Sequence, residues 1–189
     1  MTRRLIYVVG PSGAGKDSVL LGLREGWHTQ RPAHWARRTV TRPGQAGGEH
    51  HESVTRAEFE GLREADSFAM HWEANTLCYG VRHTELAPLA NGHCVLVNGS
   101  RAYVPSVLRQ WPEATVVHIT APADLLLQRL KARRREDRQA ISDRLARSLD
   151  IELPDDTIRI VNDGALQEAV GVLAAALRVR LAGEPVGVS

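Results

Sequence analysis

The chain reads as an α/β domain, a three-layer α/β/α arrangement on a five-stranded parallel sheet, and three observations predict it. Short apolar runs rich in β-branched residues recur at Leu5–Val9, Cys94–Val97, Thr115–Thr120 and Thr157–Val161, the length of strands buried on both faces. A stretch of helical periodicity follows each run, and such alternation makes the strands parallel and covers both faces with helices. The length, 189 residues, suffices for one sizeable core but not two, so further parts must be insertions between core elements. We therefore expect one domain over 1–189, with its core in 1–33 and 92–189, an insertion at about 34–91 and a lid at about 133–147.

The first run leads into Gly10-Pro11-Ser12-Gly13-Ala14-Gly15-Lys16, and Val19-Leu20-Leu21 then opens a helix. Strand, glycine-rich loop, lysine and helix in that order make a phosphate-binding loop of the P-loop NTPase type. Its glycines let successive backbone N–H groups turn inward toward phosphate oxygens, and the helix N-terminus adds partial positive charge. Lys16 reaches the β- and γ-phosphates of ATP and follows the charge during transfer. Where the motif usually has a Ser or Thr on Mg²⁺, this chain has Asp17, with Ser18 next. The run at Cys94–Val97 continues into Asn98-Gly99-Ser100, where many P-loop enzymes place an acidic residue near the metal. We expect Asp17 to supply the carboxylate that Asn98 lacks, and so to be the Mg²⁺ ligand; the alternative is that it only complements the helix dipole.

The interval from His34 to Asn91 breaks the strand–helix rhythm and is rich in Arg, His, Gly and Thr, as a substrate-binding insertion would be. Within it Thr55-Arg56-Ala57-Glu58 has capping-box spacing, and Phe59 and Leu62 begin the apolar face of a short helix. After Thr115–Thr120, Pro122 stands at a first-turn position, and Leu125, Leu126, Leu127 and Leu130 form a buried stripe. The last helix, near Ala165–Leu181, repeats Leu166, Val170, Leu173 and Leu177. Both stripes read as core. Between these helices lies the charged run Arg133–Arg138, and Ile141, Leu145 and Leu149 then recur at helical spacing, leaving Arg144 and Arg147 on another face.

Composition narrows the function classes. The formal charge is only +2, and Lys16 and Lys131 are the only lysines among 24 basic side chains; so arginine-rich a set suits forked recognition of phosphates, or reflects a coding bias. Cys78 and Cys94 form no disulfide or metal spacing, which fits a reducing, cytoplasmic setting. No apolar stretch approaches the roughly 20 residues of a membrane span, and the chain enters its first strand without a signal segment. Arg133–Arg138 is broken by Glu136-Asp137 and lacks interleaved aromatics, so nucleic acid is not an expected partner. Glu49-His50-His51-Glu52 lacks the spacing of a helical metal site. The four tryptophans, Trp27, Trp35, Trp72 and Trp111, read as packing.

Gly10–Ser18, Arg38-Thr39-Val40-Thr41-Arg42-Pro43-Gly44, Tyr79-Gly80, Arg129-Leu130 with Arg133, Ile141 with Arg144-Leu145, and Asn162-Asp163 together resemble the guanylate kinase-like branch of the nucleoside monophosphate kinases, along nearly the whole chain. The resemblance implies that Arg38, Arg42 and Tyr79 clamp an acceptor phosphate, with His51 near the position of a phosphate-contacting Tyr. It also implies that Arg129 and Asn162 join Gly10–Ser18 in binding ATP, and that Lys16, Arg133 and Arg144 carry catalysis, with Arg134, Arg135 and Arg147 as further lid arginines.

Two departures fall where that branch reads guanine: Met70 stands for a base-reading Glu, and Asn98 for an Asp. A thioether offers a purine edge almost no hydrogen bond, so guanine is not the expected acceptor. The segments Glu49-His50-His51, Asn75–Tyr79 with Gly80-Val81, and Val95–Ala102 resemble the members of the branch that act on a sugar bisphosphate. This implies Mg-ATP and ribose 1,5-bisphosphate as substrates and 5-phosphoribosyl 1-diphosphate and ADP as products, in phosphonate breakdown, with Asn98 among the acceptor-binding residues; Arg82 and Arg101, beside the Tyr79-Gly80 and Asn98-Gly99-Ser100 segments, are expected at the second phosphate. Two other readings stand beside it: a guanylate or other nucleoside monophosphate kinase, and a non-catalytic interaction module. Such modules typically lack the loop lysine or lid arginines, which are present here.

Overall fold

The structure, a computed structural model, describes residues 4–27, 32–42, 51–132 and 152–182. Its strands are β1 (Leu5–Val9), β2 (Ala33–Trp35), β3 (Arg38–Val40), β4 (Glu52–Ser53), β5 (Phe68–Ala74), β6 (Leu77–Arg82), β7 (Cys94–Asn98), β8 (Thr115–Thr120) and β9 (Ile158–Val161). The helices are α1 (Lys16–Glu25), α2 (Arg56–Glu64), α3 (His83–Leu86), α4 (Val104–Gln110), α5 (Ala123–Ala132) and α6 (Leu166–Ala182).

All five residues of β1 are buried because it lies at the centre of a five-stranded sheet, in the order β2-β7-β1-β8-β9, with every pairing parallel. Ile6 and Val8 enter one core with Val19, Leu20 and Leu23 of α1 and Ala169, Leu173, Leu177 and Leu181 of α6. Leu5, Tyr7 and Val9 enter another on the opposite face, with Val104 and Val107 of α4. A strand buried on both faces has no reason to alternate polar and apolar residues, so its run is continuous. The four runs predicted from the sequence are β1, β7, β8 and β9. The fifth strand, β2, has only partly buried residues and is defined by its pairing with β7, so the large sheet reaches into the 34–91 interval.

The rest of that interval folds into a second, four-stranded sheet of order β4-β3-β6-β5. The β5–β6 hairpin turns on Asn75 and Thr76, both in the left-handed region at φ 53° and 64°, as a two-residue turn matching the strand twist requires. α2 carries the expected capping box: the Thr55 hydroxyl accepts from the Glu58 N–H, and the Glu58 carboxylate accepts from the Thr55 N–H at 2.7 Å. Its Phe59 stacks on Phe68 of β5, centroids 4.7 Å apart. Met70 and Trp72 of β5 and Val81 of β6 complete the core beneath β1, so the small sheet covers one face of the large one while α1 and α6 cover the other. Among the described residues no helix is long and apolar enough to cross a membrane.

Candidate active site

All five parallel strands end at one edge, where the loops of such a sheet converge. The β1–α1 loop is there, and its shape is set by backbone. Gly15 sits at φ 83°, where a Cβ would come within 2.4 Å of the Asn162 amide; Gly10 has φ 154°, and its Cβ would meet the Ile119 carbonyl oxygen at 1.9 Å. Neither position tolerates a side chain. The Lys16 ammonium donates to the carbonyls of Gly10 at 2.9 Å and Pro11 at 3.2 Å. Two residues expected at ATP brace the loop carbonyls: Asn162, buried just after β9, donates to Ala14 O at 2.8 Å, and Arg129 of α5 donates to Gly13 O at 3.4 Å.

Asp17 and Asn98, 81 positions apart, meet at this edge: the Asn98 amide donates to the Asp17 carboxylate at 2.7 Å. Asn98 is 7% exposed, and its Oδ1 is buried without a hydrogen-bond partner among the described residues. Asp17 is exposed in the first turn of α1. Asp17 thus places an exposed carboxylate, a hard oxygen donor of the kind Mg²⁺ prefers, beside the phosphate loop, and the Asn98 amide steadies it.

The residues expected at the acceptor gather on the small sheet. The Arg38 guanidinium lies 5.2 Å from the Tyr79 ring centroid, in cation–π contact. Trp72 stacks on the same Tyr79, 4° from parallel with centroids 5.6 Å apart, and meets Tyr103 at 5.7 Å. Trp72 is therefore the packing residue expected, here packed behind a clamp residue. Arg42 and buried His51 hold each other: the Arg42 guanidinium donates to His51 Nδ1 at 3.4 Å, and His51 Nε2 lies 3.3 Å from the Arg42 carbonyl oxygen. Arg82 makes a forked pair with Glu52 at 2.9 and 2.7 Å, and Thr39 donates to the same carboxylate at 2.7 Å. Burial alone would raise the Glu52 pKa; the hydrogen bonds from Thr39 and Arg82, with the charges of Arg82 and Arg37, outweigh it and bring it below the ordinary carboxylate value. Met70 is wholly buried in the core shared by the two sheets. Pro43, Gly44, Glu49 and His50, and the lid residues Arg133, Arg134, Arg135, Arg144 and Arg147, lie outside the described residues.

Arg101 follows β7 in a short 3-10 turn, Arg101–Tyr103, and burial lowers its pKa. The structure also brings forward His118 and its strand neighbour Arg159, which sequence reasoning did not single out. His118 of β8 pairs laterally with Val9 of β1 and with Arg159 of β9, and its Nε2 is buried with no hydrogen-bond partner among the described residues. The one signal in the sequence was a histidine set between Val117 and Ile119 inside a buried strand.

Comparison with known proteins follows the same lines. No family model matches the chain. It is 42% identical over 177 residues to the ribose 1,5-bisphosphate phosphokinase PhnN of Pseudomonas paraeruginosa, covering 93% of this chain and 95% of that protein. It is 45% identical over 166 residues to a protein of the same name from Janthinobacterium sp., covering 87% of this chain but 36% of that longer relative. In fold it is similar to the guanylate kinase of Anaplasma phagocytophilum, with a TM-score of 0.65 at 17% identity over 93% of this chain and 84% of that one.

Proposed function

The chain belongs to the ribose 1,5-bisphosphate phosphokinase family, and from that premise we propose that it transfers the terminal phosphoryl group of ATP to the 1-phosphate of ribose 1,5-bisphosphate. An oxygen of the acceptor phosphate attacks the γ-phosphorus, a P–O–P linkage forms, and the bond to the β-phosphate oxygen breaks to release ADP with 5-phosphoribosyl 1-diphosphate. The attacking oxygen is already anionic near neutral pH, so catalysis reduces to alignment and charge neutralisation.

In this reading Gly10–Ser18 cradles the ATP phosphates, and Lys16 leaves the carbonyls of Gly10 and Pro11 for the γ-phosphate. Arg38, Arg42 and Tyr79 hold the attacking 1-phosphate, with His51 orienting Arg42. Arg133 and Arg144 would bring further positive charge from the lid. Magnesium carried with ATP supplies Lewis-acid neutralisation of the phosphate oxygens, and Asp17 backed by Asn98 would hold it. Arg82 and Arg101 are the two arginines expected at the second phosphate; for Arg82 to serve there, its fork with Glu52 would have to open. The free cysteines Cys78 and Cys94, both buried, fit a cytoplasmic setting.

The observation that carries a sugar bisphosphate over a nucleotide is the fate of the two base-reading positions. Met70 is buried in the core and Asn98 gives its amide N–H to Asp17, so neither position offers, among the described residues, the carboxylate that would pair with a guanine edge. The test is ADP release from Mg-ATP with either ribose 1,5-bisphosphate or GMP, with Lys16→Ala as the blank and phosphorus NMR to identify the product. Turnover of the sugar bisphosphate to a diphosphate, with GMP inert, is the expected result. Preference for GMP would overturn it, and silence with both would point to an interaction module.

A further inference from the structure

His118 is paired with Val9, the last residue of β1 before the phosphate loop, and lies in the field of three cations. It lies on β8 two residues after Val116, and Val116 and the laterally paired Val9 both face the core shared with the small sheet. His118 therefore points to the acceptor face, away from α1. Three elements set cations within electrostatic reach of it: Arg101 from the turn after β7, Arg159 from β9 and Lys16 from α1. Burial first, and then these charges in that order, bring its pKa down from 6.5 to about 4, so the ring is neutral at pH 7. A strand residue in a well-packed sheet ordinarily finds partners for its buried polar atoms; here Nε2 is buried and, among the described residues, bonded to nothing.

We propose that His118 is a specificity-determining residue of the acceptor site: with Arg101, and Arg159 at the rim, it binds the phosphate of the sugar bisphosphate that is not the nucleophile. The inference rests on the proposed function, which leaves a second dianion to be held apart from the Arg38, Arg42 and Tyr79 clamp. A phosphate ester placed there accepts a hydrogen bond from Nε2–H and takes up the charge of Arg101. It also reverses the field at the ring, so the cations that now suppress protonation are neutralised and an imidazolium is stabilised against the bound dianion. Nucleoside monophosphates, with one phosphate already spent in the clamp, would present an uncharged base to this cationic pocket.

Two measurements test it. In the first, ¹H–¹⁵N NMR follows the His118 imidazole, assigned by its loss in His118→Gln, through a pH titration with and without saturating ribose 5-phosphate. The expected result is an upward shift of the His118 titration on binding; a curve that ribose 5-phosphate leaves unmoved would overturn the proposal whether or not the enzyme turns over a sugar bisphosphate. In the second, KM and kcat are compared for ribose 1,5-bisphosphate and ribose 1-phosphate. His118→Phe should raise KM for the bisphosphate relative to the monophosphate by about tenfold or more, the scale of one lost hydrogen bond to a charged group, while His118→Gln, which keeps an N–H donor, should recover most of that ratio. Equal losses with both acceptors, or losses in kcat alone, would place His118 with the transferred phosphate or in the fold and sink the assignment. If the wild type turns over neither sugar, the proposed function fails, and the NMR titration still decides the phosphate site.

Discussion

The two halves of the site are built from different materials. The phosphate loop is a backbone device: its glycines turn the chain, Asn162 and Arg129 hold its carbonyls, and Lys16 lies across two more. The proposed acceptor side is a side-chain device, with Arg38 against Tyr79, Arg42 against His51 and Arg82 forked to Glu52, drawn from β3, β4, β6 and the turns beside them. A backbone cradle can be specified by a short contiguous motif, because local conformation makes it. A side-chain cradle needs several strands in register, and its cations must be held apart while no anion is bound, which is what Tyr79, His51 and Glu52 do here. The phosphate loop therefore reads from the sequence as chemistry, and the acceptor sheet only as composition.

The largest effect is expected at Lys16, which in the proposed reaction follows the charge of the transferred phosphoryl group. Lys16→Ala should lower kcat by about 10² to 10³-fold, the scale for removing one donor aimed at transition-state charge, with an unchanged melting temperature. A loss confined to KM would make the lysine a mere anchor. Asp17→Asn comes next. The magnesium concentration for half-maximal turnover should rise by about tenfold, as for weakened metal ligation, and an unaltered magnesium curve would leave Asp17 a partner of Asn98 and of the helix dipole only.

On the acceptor side the expected effects are smaller and concern stability. Thr76 adopts φ 64°, a left-handed conformation that costs a β-branched residue about 1 kcal/mol. Thr76→Gly should therefore raise the unfolding free energy by up to about that much, and a lower value would show that the bond from the Thr76 hydroxyl to the Asn75 carbonyl outweighs the strain. Glu52→Gln sharpens the comparison in its pH dependence. The folded pKa of Glu52 lies below its unfolded value, so its contribution is fully present above the ordinary carboxylate pKa and is lost as pH falls through the lower folded value. The wild type should be more stable than Glu52→Gln near neutral pH, by about 1 kcal/mol or less for so exposed a pair. The gap should close on acidification, and a constant gap in melting temperature from pH 7 to pH 3 would deny the charge any role.

By itself the sequence determined the strands β1, β7, β8 and β9, the phosphate loop, the capped helix α2 and the apolar stripe of α6, because each is encoded within a few neighbouring residues. Through the resemblance to the guanylate kinase-like branch, it also marked Met70 and Asn98 as departures from base reading. Only the tertiary structure decided that Ala33–Trp35 is a strand, since its three partly buried residues carry no pattern and take their conformation from pairing with β7. The same holds for the Asn98–Asp17 bond, the capture of Arg82 by Glu52, and the pairing of His118 with Arg159. The first two join segments 81 and 30 positions apart, and the third sets two side chains on one face by strand register. Which charges are neutralised, and which polar atom stays unpaired, depends on distances across the sheet that local patterns do not encode.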